Sequence, residues 1–424
     1  MSPIEEMRAR LLLYLERHSF AYQSVHYLGY IILLSSLPMA IPTLVAYFID
    51  GNIALMYSFL LSMLLGLFIG VPMLGYFRAE ELSVGRAMGI AALAWLVMPF
   101  FGALPYIFSI RFAGYGLSPV DAYFESMSGY TATGLTMFME VETLPKSILL
   151  WRSITQYIGG VGVIVLFLSI LITTTGNIAQ KLYLAEGRSD RFAPTVEGTA
   201  RRIWAIYGLY TVIGFVILAF LGVPLFDAIN TSMTALATGG FSVRNNSIGA
   251  YSNLNYSWAI ELTMVILMFL GATSFTLHYK LFRRNFRDFF RDPEVRMFIG
   301  LILFSIFIFY MQSSRMFTPE FITAQLRYNG FQTVSALSGA GFQTMPLAGQ
   351  NQFFKLGLVI LMITGGAYGS TASALKLLRV RLLISSVVWI IKKTIYPQGS
   401  VVPIKMGKAV YDKDDIISVL AYTL

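Results

Sequence analysis

The 424 residues include no cysteine. That excludes a disulfide framework, a thiolate nucleophile and a thiolate metal site, and leaves the redox compartment undetermined. Charge is scarce: Asp, Glu, Lys and Arg together make up 12% of the chain, against roughly 25% in a typical soluble domain. The histidines His18, His26 and His278 are far apart and follow no metal-ligand spacing. No HExxH pair, nucleophile elbow or Walker loop occurs, so the expectation is a protein that is not an enzyme. A soluble chain of this length could bury a large core, but it would still need a charged exterior.

Instead, 56% of residues are hydrophobic, gathered into stretches near the ~20 residues that span a bilayer as a helix. Spanning segments must satisfy their backbone internally, and turn residues between long runs favour helices over barrel strands. Spans are expected at Tyr27–Ile49, Ile53–Tyr76, Gly85–Ile110, Ser147–Thr173, Ile203–Leu221, Tyr256–Tyr279 and Val295–Met311, with an interrupted run from Phe353 to Ile391. A further segment near Asp415 reads as a span that has only begun. The stretch Met1–Arg17 is mixed-charge and helical, and the first apolar run is too long for a signal peptide.

The net charge of +9 sits in short loops beside apolar spans, which fits a positive-inside bias better than nucleic-acid binding. The clusters are Lys181 to Arg202, Lys280 to Arg291, and Arg379 to Lys393. They share one side, with the N-terminus in the cytoplasm, if the connections near Asp121, Asp227 and Gln325 dip in and return.

An internal repeat supports such re-entrant segments. A shift of 106 residues lays Asp121–Thr136 over Asp227–Ser242 without a gap, and a further shift of 101 lays Gly240 over Gly341. Three short stretches rich in small polar residues end at Gly134, Gly240 and Gly341, each between spans. A short helix that stops midway points the negative end of its dipole into the membrane. Extended backbone beyond it is tolerated only where it lines a cavity or is buried in protein. There its carbonyls can replace an ion's water shell. Gly supplies unusual backbone angles, while Thr131, Thr133, Thr238 and Ser338 supply hydroxyls without bulk. Asp121 and Asp227, beside Pro119 and Pro224, are expected to cap their helices. Small-residue clusters also serve as packing seams, but three copies at near-constant spacing favour a cation pathway.

At these residues the chain resembles the Trk/Ktr/HKT superfamily of potassium transporters, most closely the TrkH-type subunit. The segments "SGYTATGLT" (Ser128–Thr136), "ATGGFS" (Ala237–Ser242) and "SGAGFQT" (Ser338–Thr344) resemble that family's first three filters. "WRSITQYIGGVGVIVL" (Trp151–Leu166) and "GATSFTLHY" (Gly271–Tyr279) resemble the second helices of its first and second repeats. The resemblance implies an all-α integral membrane fold of pseudo-fourfold membrane helix–pore loop–membrane helix repeats, preceded by two extra N-terminal spans. The division it implies is 1–80 for those spans, 81–176, 177–292 and 293–397 for three repeats, and 398–424 for the start of a fourth, incomplete one. It also implies a potassium filter of Ala132, Thr133, Gly134, Thr238, Gly239, Gly240, Gly339, Ala340 and Gly341. Glycine at the three filter positions goes with potassium in the family, whereas serine in the first loop goes with sodium-preferring relatives. Potassium is the expected transported ion, and no cofactor is expected in this chain.

"TGGAYGSTASALK" (Thr364–Lys376) would break a helix through Gly365, Gly366 and Gly369, with Ser370, Thr371 and Ser373. It resembles the family's intramembrane gating loop, although Ser373-Ala374 stands where the family usually has a glycine pair. Lys376 reads either as a cation near the inner mouth or as a residue that ends the span and snorkels. Glu125 reads as a source of negative potential near an outer vestibule or as a paired carboxylate, the second being favoured. Glu261 lies in an apolar span, where an ionisable residue defaults to a functional reading; a hydrogen-bonded role is equally open. His278 is expected to pack or anchor a loop.

Repeat spacing places a fourth pore loop near residue 441 or beyond, and a sequence truncated from a full transporter is the expectation. The resemblance further implies a multi-pass protein of the cytoplasmic membrane in a lipid bilayer, a homodimer, and a cytosolic nucleotide-binding regulatory subunit of the TrkA type. A secondary transporter of another cation or small solute and a non-conducting membrane subunit are the competing classes.

Overall fold

A long apolar stretch in lipid has one economical local solution, a helix that bonds its own backbone, and this chain takes it repeatedly. The computed structural model describes residues 19–76, 84–162, 196–313, 319–397, 404–406 and 409–411. Among the described residues, five helices are long and apolar enough to cross a membrane: Ser24–Phe48, Ile53–Gly75, Gly85–Ala113, Gly198–Phe220 and Pro293–Gln312. All five fall on expected spans. The span expected from Ser147 is helical over Lys146–Val161 and ends at the C-cap Gly162, while 163–173 lie outside the described residues.

The span expected over Tyr256–Tyr279 differs. It consists of two helices, Ser257–Gly271 and Phe275–Phe282, bent by 107°. Gly271 is a weak helix former, and the Thr273 hydroxyl turns back to the carbonyls of Phe269 and Leu270 at 3.1 and 3.0 Å. The interrupted run breaks where expected, with helices Gln352–Thr364 and Leu377–Ile395 on either side.

Three helices precede the glycine turns: Pro119–Tyr130, Leu225–Leu236 and Pro319–Ser338. The first two have 12 residues each and the third has 20, so the third is longer than the repeat implies. The capping expectation is also corrected. Ser118 is the N-cap of the first helix, with Pro119 at its first position. The Ser118 hydroxyl accepts the Asp121 N–H at 3.3 Å and donates to the Asp121 carboxylate at 2.7 Å. Serine followed by proline satisfies the orphan donors here, with Asp121 as the third-position partner. Asp227 sits inside the first turn of its helix, and its carboxylate turns to Arg244 at 2.8 Å.

The chain divides into two compact units, Met1–Val212 with Leu225–Asn245, and Ile213–Pro224 with Asn246–Leu424. In the first, Ile32, Phe101 and Leu104 form a buried cluster. The helices of the first two spans approach closely: a Cβ on Gly29 would lie 3.1 Å from the Gly70 carbonyl oxygen, and one on Gly70 would lie 3.1 Å from that of Gly29. Small residues permit such contacts where lipid gives no hydrophobic drive between helices. In the second unit, Ala272, Phe298, Phe309, Leu337, Leu358, Leu361, Ala372 and Leu377 share one core. That core joins the third pore helix, the bent pair and the loop of the interrupted run. Ile404–Met406 and Ala409–Tyr411 pair antiparallel, a short hairpin in the segment read as the approach to a fourth repeat.

Candidate functional site

Each of the three short helices ends in the same backbone figure. At Ala132, Thr238 and Gly339, φ is +53°, +53° and +77°; two residues later, at Gly134, Gly240 and Gly341, it is +80°, +79° and +75°. Ahead of these, the Ala132, Thr238 and Gly339 N–H groups bond back to Gly129, Ala235 and Ala336. Those of Thr133, Gly239 and Ala340 bond to Ser128, Thr234 and Ser335. This is the Schellman pattern, which consumes two of the orphan carbonyls at a helix end. Ala132 and Thr238 occupy a conformation that costs a side-chain-bearing residue roughly 1–2 kcal/mol. The three turns therefore coincide in register and in dihedral angles, at the spacing of the sequence repeat.

Within the first unit, the helix Lys146–Val161 organises the first two turns. Its Arg152 is 2% exposed and pairs at 2.7 Å with Glu125, which is fully buried on the first pore helix. The Glu125 carboxylate also accepts the Thr136 hydroxyl at 3.0 Å and the Met137 N–H at 2.7 Å, which fixes the segment leaving the first turn. Arg152 reaches the second turn as well, donating to the Ser242 carbonyl at 3.0 Å and lying over the Phe241 ring at 4.2 Å. One helical turn on, Gln156 donates to the Gly239 carbonyl at 2.8 Å and accepts the Phe241 N–H at 2.9 Å. The two turns touch: a Cβ on Gly134 would lie 2.1 Å from the Gly239 carbonyl oxygen. Gly159 and Gly160 admit this helix to the site, since their Cβ atoms would lie 1.8 Å from the Tyr130 carbonyl oxygen and 2.9 Å from Ala237.

The N-terminal spans reach the same machinery. Asp50 accepts the N–H groups of Lys146 and Ser147, both at 3.0 Å, and so caps a helix whose own N-cap, Pro145, forms no side-chain cap. Ser35 shares a 2.9 Å hydrogen bond with the Tyr130 hydroxyl at the end of the first pore helix.

In the second unit, the third turn is held by its own helix and by the short helical segment Ser247–Tyr251. The Ser335 hydroxyl donates to the Phe342 carbonyl at 2.8 Å, the Gln343 N–H donates to Ser247 Oγ at 3.1 Å, and the Gly249 N–H donates to the Gln343 carbonyl at 3.1 Å. Glu261 is a paired carboxylate: Arg327 of the third pore helix grips it with two nitrogens, one at 2.7 Å, and also bonds Ser257 at 3.0 Å. Bidentate pairing of this kind is the strong form of an ion pair.

The two broken helices of this unit complete each other. The Gly271 carbonyl accepts both the N–H and the hydroxyl of Thr371, at 3.0 and 2.8 Å, and the Ala272 carbonyl accepts the Ala367 N–H at 2.8 Å. In return, the Phe275 N–H donates to the Gly369 carbonyl at 3.3 Å. His278 closes the corner through its Nε2, 2.8 Å from the Thr273 hydroxyl and 2.9 Å from the Leu270 carbonyl. It is thus a loop anchor. Gly365, Gly366, Ser370 and Thr371 are buried in this knot, while Ser373 is exposed. A Cβ on Gly365 would lie 2.4 Å from the Ser373 carbonyl oxygen, and one on Gly366 2.8 Å from that of Ala272. Ala374 sits at φ +70°. Lys376 sits at φ +69° as N-cap residue of the following helix, with its ammonium 5.6 Å from the centre of the Tyr368 ring.

This is a chain of polar backbone turns at helix C-termini, braced by buried charge and side-chain amides. Among the described residues no group of three or more His, Cys, Asp or Glu could hold a metal ion. Arg152, Gln156 and Arg327 carry the bracing, and sequence reasoning did not single them out. The one available signal was an Arg and a Gln a turn apart within an otherwise apolar helix.

A family model described as TrkH, a cation transport protein, matches residues 77–421. The chain belongs to the TrkH family. The matched region starts after the two N-terminal helices. The TrkH-type potassium uptake protein of Escherichia coli K12 is 34% identical over 390 residues, covering 89% of this chain and 78% of that protein. An uncharacterized cation transporter of Methanocaldococcus jannaschii is 33% identical over 379 residues, covering 89% of this chain and 75% of the relative. The crystal structure of the potassium transporter TrkH from Vibrio parahaemolyticus matches with a TM-score of 0.81 at 29% identity, covering 95% of this chain and 82% of that one. This TrkH-family chain is accordingly a multi-pass α-helical membrane protein of a cation transport family.

Proposed function

We propose that the protein carries potassium into the cell through a pore whose filter is built from the three glycine turns. The observation that carries this reading is the recurrence of one Schellman turn and one pair of positive φ angles at 132/134, 238/240 and 339/341. Repetition of an otherwise costly backbone at fixed spacing is what a ring of carbonyl ligands requires. TrkH-family membership and relatives named for potassium uptake support the choice of ion. In this reading the repeats run over 81–176, 177–292 and 293–397, after accessory spans at 1–80, with 398–424 opening a fourth. The protein sits in the cytoplasmic membrane with its N-terminus inside, as a homodimer regulated by a nucleotide-binding TrkA-type subunit.

The loop Gly365–Lys376 is the gate of this pathway. Its hydrogen bonds to Gly271, Ala272 and Phe275 hold the closed arrangement, so opening exchanges that knot for solvation by pore water. Replacing Gly365–Ser373 by a shorter flexible linker is expected to raise cation flux in proteoliposomes; unchanged or lower flux in a folded variant contradicts the gating role. Rubidium uptake competed by potassium tests the function as a whole. Uptake driven by an organic solute, or no cation flux, contradicts it.

A further inference from the structure

Gln156 is buried on the helix Lys146–Val161 and serves none of that helix's own backbone groups. Its carboxamide forks across Gly240, donating to the carbonyl before that residue, Gly239, and accepting the N–H after it, Phe241. The bracketed backbone is the part of the second turn most able to rotate, because positive φ angles stand at Thr238 and Gly240 on either side of Gly239 and glycine has no Cβ to oppose a flip. The fit leaves no slack: a Cβ on Gly239 would lie 2.5 Å from the Gln156 side-chain carbon Cδ. Arg152 already ties the strand one residue beyond Phe241, through the Ser242 carbonyl. Gln156 therefore sets the orientation of the Gly239–Gly240 peptide, which the Arg152 bond to Ser242 does not reach.

The carbonyl it holds is also the one against which Gly134 of the first turn packs, 2.1 Å from that residue's ideal Cβ position. We infer that Gln156 is a specificity-determining positioning residue, which fixes the Gly239 carbonyl and with it the spacing of the first and second filter turns. The inference rests on the potassium-pathway reading. Two accounts of carbonyl selectivity, cavity size and the number of coordinating dipoles, lead to the same expectation. Without the amide, the Gly239 carbonyl is free to turn, which alters both the spacing and the count of available oxygens.

The test is paired uptake of rubidium and sodium by the protein in proteoliposomes, for the parent and for Gln156→Leu, Gln156→Met and Gln156→Glu. Ionised glutamate retains the acceptor for the Phe241 N–H but has no hydrogen for the Gly239 carbonyl. All three variants are expected to lower the rubidium-to-sodium ratio by about tenfold, the factor associated with one buried hydrogen bond. Adding Gly134→Ser to Gln156→Leu is expected to lower it little further, because both act on one contact. The ratio separates a positioning role from a merely structural one, which would reduce both fluxes together. A folded leucine or methionine variant with the parental ratio overturns the inference, as does full additivity with Gly134→Ser. Absence of rubidium preference in the parent overturns the potassium reading instead.

Discussion

Under the proposed potassium pathway, Gly134→Ser is expected to lower the ratio of rubidium to sodium uptake by at least about tenfold, while leaving a protein that still inserts and folds. The backbone at Gly134 has φ +80°, so any side chain adds roughly 1–2 kcal/mol of strain. The larger effect is contact. A Cβ there would lie 2.1 Å from the Gly239 carbonyl oxygen and 3.3 Å from its carbon, and the atom in the way is backbone held by Gln156 at 2.8 Å. It cannot yield as a flexible side chain would, so the first two glycine turns must shift together. Gly339→Ala is the informative control. Its φ is +77°, yet a Cβ there meets nothing within 4 Å, so only the backbone strain applies. Its ratio of rubidium to sodium uptake should change far less; equal losses at both sites would contradict the contact argument.

Arg152→Leu is expected to destabilise the protein by about 3–5 kcal/mol, the range seen when one partner of a buried ion pair is removed. Glu125 is fully buried, and its other partners, the Thr136 hydroxyl and the Met137 N–H, cannot neutralise a carboxylate. The Ser242 carbonyl loses its partner as well. Adding Glu125→Gln to Arg152→Leu should recover a substantial part of the loss, because no uncompensated charge remains. Arg244→Leu should cost less than Arg152→Leu, because the Arg244 guanidinium is 37% exposed and its pair with Asp227 is partly screened by solvent. Thermal unfolding in detergent reads all three. A double variant no more stable than Arg152→Leu alone would show that the pair's charge is not what matters.

Long apolar runs made the spans legible, because each span is a local property of its own residues. The three glycine turns were legible for a related reason. A Schellman end followed by a second positive φ needs a small residue or glycine at fixed offsets, and Gly134, Gly240 and Gly341 mark those offsets without gaps. The loop at Gly365–Lys376 announced itself in the same way. The braces did not, since their partners are remote in sequence. Arg152 bonds residues 27 and 90 positions away, Gln156 residues 83 and 85 away, and Arg327 a residue 66 away. The 107° bend between Gly271 and Phe275 was also hidden, because the hydropathy of its two halves reads as one span. What decides the bend is tertiary: the Gly271 and Ala272 carbonyls can leave the helix because Thr371 and Ala367 receive them. Capping at Ser118 was overlooked in favour of Asp121, although serine before proline is the better local signal.

As the proposed filter, these three turns are expected to pass potassium in preference to sodium. Uptake of radioactive rubidium into proteoliposomes, with potassium or sodium added outside as competitor, tests it most directly. Saturable uptake is expected, suppressed by potassium at concentrations where sodium leaves it intact, with a parallel loss of that difference in Gly134→Ser. Uptake suppressed equally by the two ions, in the parent protein, would contradict it.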